Sequence, residues 1–255
     1  MVNQTGKATE FAKLHVKGTP LVLYNAWDAG SAKAVAEGGA PAIATGSWSV
    51  AAAQGYADGQ ALPLDLLLQT AKQIVGAVDL PVSVDFEGGY ATDANEVGQN
   101  AARLLDTGAI GLNFEDRIVG GDGLHPVADQ ARRIAAIRAA ADAAGVPLFI
   151  NARSDVFFQK GSPPQAELME EALTRAAAYA DAGANGIFVP GLADLDLIKE
   201  LSDSQALPVN IMRMGDSTDI GDLASAGAAR ISHGPGPYIA AMEALSKAAA
   251  QLYQG

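Results

Sequence analysis

The sequence contains no cysteine. That excludes disulfides, thiolate metal ligands and thiol nucleophiles, and it suits a reducing compartment such as the cytoplasm. Positive charge is also scarce. Against 29 Asp and Glu stand only 17 Lys and Arg, for a net charge of -12. No basic run offsets this locally, so no nucleic-acid partner is expected. No uninterrupted apolar stretch reaches the roughly 20 residues a membrane helix needs. The opening MVNQTGKATEFAKLH lacks the basic-then-apolar order of a secretory signal. Neither a membrane nor export is therefore expected. A GxGxxG phosphate turn is missing too, since the first apolar run leads into YNAWDAGSA.

What is present is a chain of 255 residues, 49% hydrophobic and 18% charged, able to bury a sizeable core as one domain. Short apolar runs begin at Leu21, Ala42, Pro81, Gly111, Leu148, Gly186, Val209 and Ala229. They are β-branched and bounded by Gly, Pro or polar residues, as buried parallel strands are. Helical patterns separate them, most clearly LDLLLQTAKQIVGAV and EALTRAAAYADAGA. DTGAIG, AAGVPLF, DAGANGIF and SAGAARI each set a Gly between a helix and the next strand, where a left-handed residue ends the helix. Eight strands, each followed by a helix, predict a single-domain α/β fold, the (β/α)8 TIM barrel, over residues 1–255 with a short helix before the first strand.

In such a barrel the active site lies at the C-terminal ends of the strands. Those ends offer Asn25 and Asp28, then Ser47 with Trp48, Asp85 with Glu87, Glu115 with Asp116, Arg153 with Asp155, Asn210 with Arg213, and His233. Asp85 and Glu87 are two apart, which on a strand puts them on one face. With Glu115 beside them, three carboxylates would repel unless they bind protons or a cation. An all-oxygen set without His or Cys favours Mg²⁺, with Mn²⁺ possible. The plainer alternative is that these acids cap helices or sit solvated in loops. Arg153 suits bidentate capture of a carboxylate or phosphate, or else a structural salt bridge to Asp155 or Glu115. Trp48 walls the site or belongs to the core. His233 is an acid–base candidate or a loop residue.

Taken in order, the segments TGSWSVAAAQGYADG, VDFEGGY, GLNFEDR, INARSD, GANGIFVPG and PVNIM resemble the isocitrate lyase and phosphoenolpyruvate mutase superfamily. The resemblance implies a barrel whose last helix is swapped between paired subunits, in a homodimer or homotetramer. It implies Mg²⁺ held by Asp85, Glu87 and Glu115, partly through water, and a small α-oxo or 2-hydroxy carboxylate as substrate. By position it makes Arg153, Asp58 and Ser47 catalytic. Gly46, Ser47, Trp48, Arg153 and Asn210 become substrate contacts, the first three through backbone amides and a hydroxyl. Asp58 falls in a segment that covers the site.

The departures are specific. The K-K-C-G-H loop of the citrate-type lyases is replaced by RIVGGDGLHPV, without Cys or Lys. The Lys- and Asn-bearing loop of the phosphonate-processing members is absent as well. Where the citrate-type lyases carry a Glu after the sixth strand, this chain has Gly191. The expected activity is a Mg²⁺-dependent lyase or hydrolase that breaks a C–C or C–P bond through an enolate, with oxaloacetate decarboxylation as the simplest case. The alternatives are a barrel isomerase or synthase holding phosphate at SHGPGP, and a non-catalytic oxo-acid binding protein.

Overall fold

Every predicted strand forms. The computed structural model describes residues 4–159, 161–214 and 218–253. It opens with α1 (Gln4–Lys13), β1 (Leu21–Leu23), α2 (Ala29–Glu37), β2 (Ile43–Ala44), α3 (Ser47–Ala53), α4 (Leu64–Ala77) and β3 (Val82–Asp85). The middle comprises α5 (Ala94–Leu105), β4 (Gly111–Glu115), α6 (Val127–Ala143), β5 (Phe149–Arg153), α7 (Met169–Asp181) and β6 (Gly186–Phe188). α8 (Leu195–Ser204), β7 (Val209–Met212), α9 (Ile220–Ser225), β8 (Arg230–Ser232) and α10 (Gly236–Tyr253) complete it.

The strands pair in parallel in the order β1-β8-β7-β6-β5-β4-β3-β2. Between β1 and β2 the ring is closed by a single parallel bridge, Ala26 to Thr45, with the Ala26 amide donating to Ala44 O at 2.8 Å. The result is the (β/α)8 barrel. The glycines between helix and strand do what the sequence suggests, for Gly108, Gly145, Gly183 and Gly227 all have positive φ. Asp28, Asp93, Asp194 and Asp219 cap the helices that follow them. Asp28 is thereby corrected from a strand-end candidate to a helix cap. Its Oδ1 accepts from the Ser31 amide at 2.7 Å.

Helix α3 is an addition to the predicted pattern. It starts at Ser47, immediately after β2, so SWSVAAA is a helical turn rather than a strand tip. At the far end of the barrel, Phe11 of α1 is fully buried against Phe149, edge to face at 5.4 Å. Helix α10 behaves differently from the others. Only Pro237 on it is buried, while Ile239, Met242, Leu245, Leu252 and Tyr253 are exposed, and it packs extensively against no other element. No helix among the described residues is long and apolar enough to cross a membrane.

Candidate active site

Asp85 ends β3 and is buried at the barrel mouth. The first amides of a helix have no intrahelical partner. The Ser47 amide, at the start of α3, donates to Asp85 Oδ2 at 3.0 Å, and the Ser47 hydroxyl donates to the same oxygen at 2.8 Å. Asp85 Oδ1 is buried without a partner. The Gly46 amide donates to Ala26 O at 3.3 Å. The amides of Gly46 and Ser47 are thus engaged within the protein, and a substrate carboxylate would have to displace one of them.

The expected shared face of Asp85 and Glu87 is corrected by the backbone. Strand β3 stops at Asp85, and Glu87 has φ 48°, which turns it out of the alternation. Gln60 at φ 61° and Tyr90 at φ 58° are the other non-glycine residues with positive φ among those described. All three meet at one carboxylate. The Gln60 amide donates to Glu87 Oε2 at 2.6 Å, and the Tyr90 hydroxyl donates to Oε1 at 3.2 Å. Left-handed non-glycine residues cost about 1–3 kcal/mol each and gather at functional sites.

Arg153 ends β5 and is paired on both sides. Its Nε and Nη2 grip Asp155 at 2.6 and 2.9 Å, and Nη1 lies 3.0 Å from Glu115 Oε2. The salt-bridge alternative is therefore real, whatever else Arg153 does. Asp155 is fixed in turn, because its amide donates to Asp116 Oδ1 at 3.0 Å. Asp116, offered by the sequence as a mouth residue, is fully buried behind it, bonded to Tyr179 at 2.8 Å and Arg175 at 3.1 Å. It is a support for Asp155 and lines neither chamber of the mouth.

The mouth holds two adjoining chambers. One, of about 350 Å³, is lined by Glu87, Glu115, Arg117 and Gly120. The other, of about 130 Å³, is lined by Asp85, Asn113, Trp48, Phe158, Phe188 and Met212. Ser47, Asp58 and Arg153 line both. Carboxylates outnumber cations here, and three of the acids, Glu87, Glu115 and Asp58, are raised above the ordinary carboxylate range, chiefly by burial. Burial pushes Glu87 up to about 7, with the charge of Asp85 adding to it. Burial pushes Glu115 up to about 8, against the pull of Arg153. Asp58 is raised by partial desolvation and then by Asp85.

This donor set fits a hydrated divalent cation. Among the described residues no three His, Cys, Asp or Glu side chains form a ready cage, so Asp85, Glu87 and Glu115 could share an ion only partly through water, as the resemblance implies. Mg²⁺ keeps several waters and takes only one or two carboxylates directly. Among the described residues, Asp85 Oδ1 is the one buried carboxylate oxygen without a hydrogen-bond partner, with Glu87 and Glu115 near enough to be felt electrostatically.

Other candidates lie elsewhere. Asn210 lines neither chamber; it is buried, its Oδ1 accepting from Ser232 at 3.1 Å. His233 lines neither chamber and faces Leu23 O at 3.2 Å, so it is no acid or base for this mouth. The Arg213 Nε donates to Thr218 O at 2.7 Å. Trp48 is 40% exposed at the chamber rim, a wall rather than core. Residues that sequence reasoning passed over include Gln60, Tyr90, Phe158, Phe188 and Met212. The positive-φ pair and the aromatics carry no polar motif, and only the ring closure brings them to the mouth.

Known proteins share this barrel. The family model described as phosphoenolpyruvate phosphomutase matches residues 11–253. An uncharacterised protein of Mycobacterium tuberculosis is 34% identical over 96% of this chain and 89% of its own. The 2-methylisocitrate lyase of Salmonella typhimurium is 29% identical over 78% of this chain and 68% of its own. A Burkholderia cenocepacia crystal structure, provisionally described as a phosphonomutase, superposes with a TM-score of 0.94 at 47% identity, covering 99% of this chain and 100% of that one. More distant relatives include oxaloacetate decarboxylases. A phosphonopyruvate hydrolase solved with oxalate and Mg²⁺ shares the fold at 21% identity and a TM-score of 0.84.

Proposed function

The chain belongs to the phosphoenolpyruvate phosphomutase family of the isocitrate lyase superfamily, and from that premise we propose a Mg²⁺-dependent lyase acting on a small α-oxo or 2-hydroxy carboxylate. Family members that resemble it include lyases and a phosphomutase, so cleavage of a C–C or C–P bond is the common chemistry. The favoured reaction is that of an oxaloacetate decarboxylase. The C3–C4 bond breaks, its electron pair moves toward the C2 carbonyl, carbon dioxide leaves, and C3 is later protonated.

The observation that carries this reading is Asp85. One of its oxygens is locked by Ser47, and the other is buried, partnerless and surrounded by acids. A bound Mg²⁺ would supply Lewis acidity toward the substrate's α-oxo oxygen, worth several kcal/mol. Arg153 orients the substrate carboxylate with the guanidinium edges left by Glu115 and Asp155. Stacking of Arg153 over Phe188, at 5.8 Å, keeps that plane fixed. Asp58 and Ser47, at the junction of the chambers, are the groups placed to hold or pass a proton. A cysteine-free chain of this type belongs in the cytoplasm. The exposed apolar side of α10 supports a homodimer or homotetramer with the last helix exchanged.

Calorimetry with Mg²⁺ and oxalate, alongside pyruvate release from oxaloacetate, tests the proposal. Asp85→Ala should abolish Mg²⁺ binding and turnover while circular dichroism keeps the barrel signature. Unchanged Mg²⁺ affinity in that variant would sink the metal site.

A further inference from the structure

Several donors that line the smaller chamber are spent inside the protein. The Ser47 amide and hydroxyl serve Asp85, and Arg153 serves Glu115 and Asp155. The Asn25 side chain donates to Thr45 O at 2.9 Å, and the Ser232 hydroxyl donates to Asn210 at 3.1 Å. Asn113 differs. It lines the same chamber, in register with Asp85 on one neighbouring strand and with Asn151 on the other. Two residues further along β4, Glu115 is in register with Arg153. Strand facing repeats every second residue, so Asn113 lies one layer deeper than the Arg153 layer, beside Asp85.

The Asn113 amide is held in one orientation. Its Oδ1 accepts from Asn151 Nδ2 at 2.9 Å and from Arg230 Nη2 at 3.2 Å, the second reaching across the barrel from β8. Arginine carries no acceptor, so the atom facing it is the amide oxygen. The Asn113 nitrogen is left over. Among the described residues no acceptor serves it, and it is not one of the buried atoms stranded without a partner. Its two hydrogens are therefore open to the chamber. Arg230 itself is fully buried, with Nε and Nη1 unpartnered. Burial lowers its proton affinity, and the charge of Asp85 works against that. A cation so poorly paired costs stability. The one hydrogen bond its guanidinium makes among the described residues is the one that orients Asn113.

Resting on the proposed lyase reading, with the carboxylate head at Arg153, we propose that Asn113 donates to the substrate's C2 oxygen and that Arg230 is the residue positioning it. Negative charge grows on that oxygen as the bond at C3 breaks. A donor already aimed there needs no reorganisation when the charge appears. The amide cannot turn its oxygen toward the substrate, because Arg230 and Asn151 hold it. The contact is indifferent to the group that leaves C3, so it serves C–C and C–P cleavage alike.

The test is calorimetry of the Mg²⁺-loaded protein with oxalate, which puts an anionic oxygen at the C2 position, and with pyruvate, which puts a neutral one there. Hydrogen bonds to charged groups are the stronger. Asn113→Ala should therefore weaken oxalate roughly 10- to 100-fold and pyruvate only about 2- to 10-fold. Asn113→Asp keeps an acceptor for Arg230 and Asn151, so its melt in EDTA should stay at or above the parent's, while oxalate binding falls further than in Asn113→Ala. Arg230→Met should also fold, and its oxalate-to-pyruvate affinity ratio should fall toward that of Asn113→Ala. Oxalate affinity kept in Asn113→Ala or Asn113→Asp would overturn the contact and leave the metal-centred reading standing. Equal losses of oxalate and pyruvate in Asn113→Ala would move the contact to the carboxylate head and overturn the C2 assignment. An Arg230→Met chain that does not fold, or one with the parent's ratio, would return Arg230 to structure alone. If the parent itself does not bind oxalate, the proposed function fails and this contact falls with it.

Discussion

The carbonyl oxygen of Phe157 occupies the place that a Cβ on Gly191 would take, 2.4 Å from it. A citrate-type glutamate at this position is therefore blocked by the neighbouring backbone, and a point substitution does not restore one. The positive φ of 90° adds backbone strain to any L side chain at the same position.

Gly191→Ala should accordingly destabilise the protein. A left-handed alanine costs about 1–2 kcal/mol and the overpacking about 1–3 kcal/mol. For a chain of this size, roughly 3 kcal/mol corresponds to a fall in Tm of about 6–12 °C. A thermal melt within about 2 °C of the parent would show that the Phe157 turn yields freely.

Arg153→Lys keeps the charge and loses the planar fork. Hydrogen bonds to charged groups are worth about 1.5–3 kcal/mol, so oxalate affinity should drop roughly 10- to 100-fold. Because Arg153 also ties Glu115 to Asp155, some stability should go with it. Equal oxalate affinity in the Lys variant, read by calorimetry, would assign Arg153 to structure alone.

Stability should depend on pH less steeply with a divalent cation than without one. Glu87 and Glu115 titrate at about 7 and about 8 when folded, above the ordinary value of about 4.3. Between roughly pH 4.5 and 8 the unfolded chain has released protons the folded one still holds, so the metal-free protein loses stability as pH rises. His15, lowered to about 3 by burial and the charge of Arg230, gives the reverse slope below about pH 6.5. Two carboxylates outweigh one imidazole, so melts in EDTA should already fall as pH rises from about 5 to 8, and Mg²⁺ should flatten that fall. A Tm that climbs from pH 6 to 8 in EDTA would contradict the raised carboxylates.

Isocitrate and 2-methylisocitrate should be poor substrates, despite the likeness to 2-methylisocitrate lyases. The loop that replaces the cysteine-bearing one offers Asp122 and His125. Neither lines the two chambers, and the His125 amide is tied to Asp116 O at 2.7 Å. A missing general acid costs about 10²- to 10⁴-fold. Side-by-side assays of glyoxylate and pyruvate release decide the matter. Turnover of either tricarboxylate above that of every simple oxo acid would overturn the loop argument.

Much of this molecule is written locally. The eight strands follow from short apolar runs between glycines and polar residues, because burial on both faces leaves no other reading for them. The acids and arginine at the strand ends follow from the same register, since a barrel strand directs its last residues to one mouth. What each of those residues does is not local. Asp28 and Asp116 have the same chemistry as Asp85. The first caps a helix and the second props Asp155, and only Asp85 is left with a bare oxygen at the mouth. The sequence spaced Asp85 and Glu87 for one face. Tertiary contacts with Gln60 and Tyr90 hold Glu87 in a left-handed conformation, and the two carboxylates face different chambers. Local sequence sets periodicity and propensity. Partnership, burial and the resulting proton affinity depend on residues tens of positions away, which meet only when the ring of strands closes.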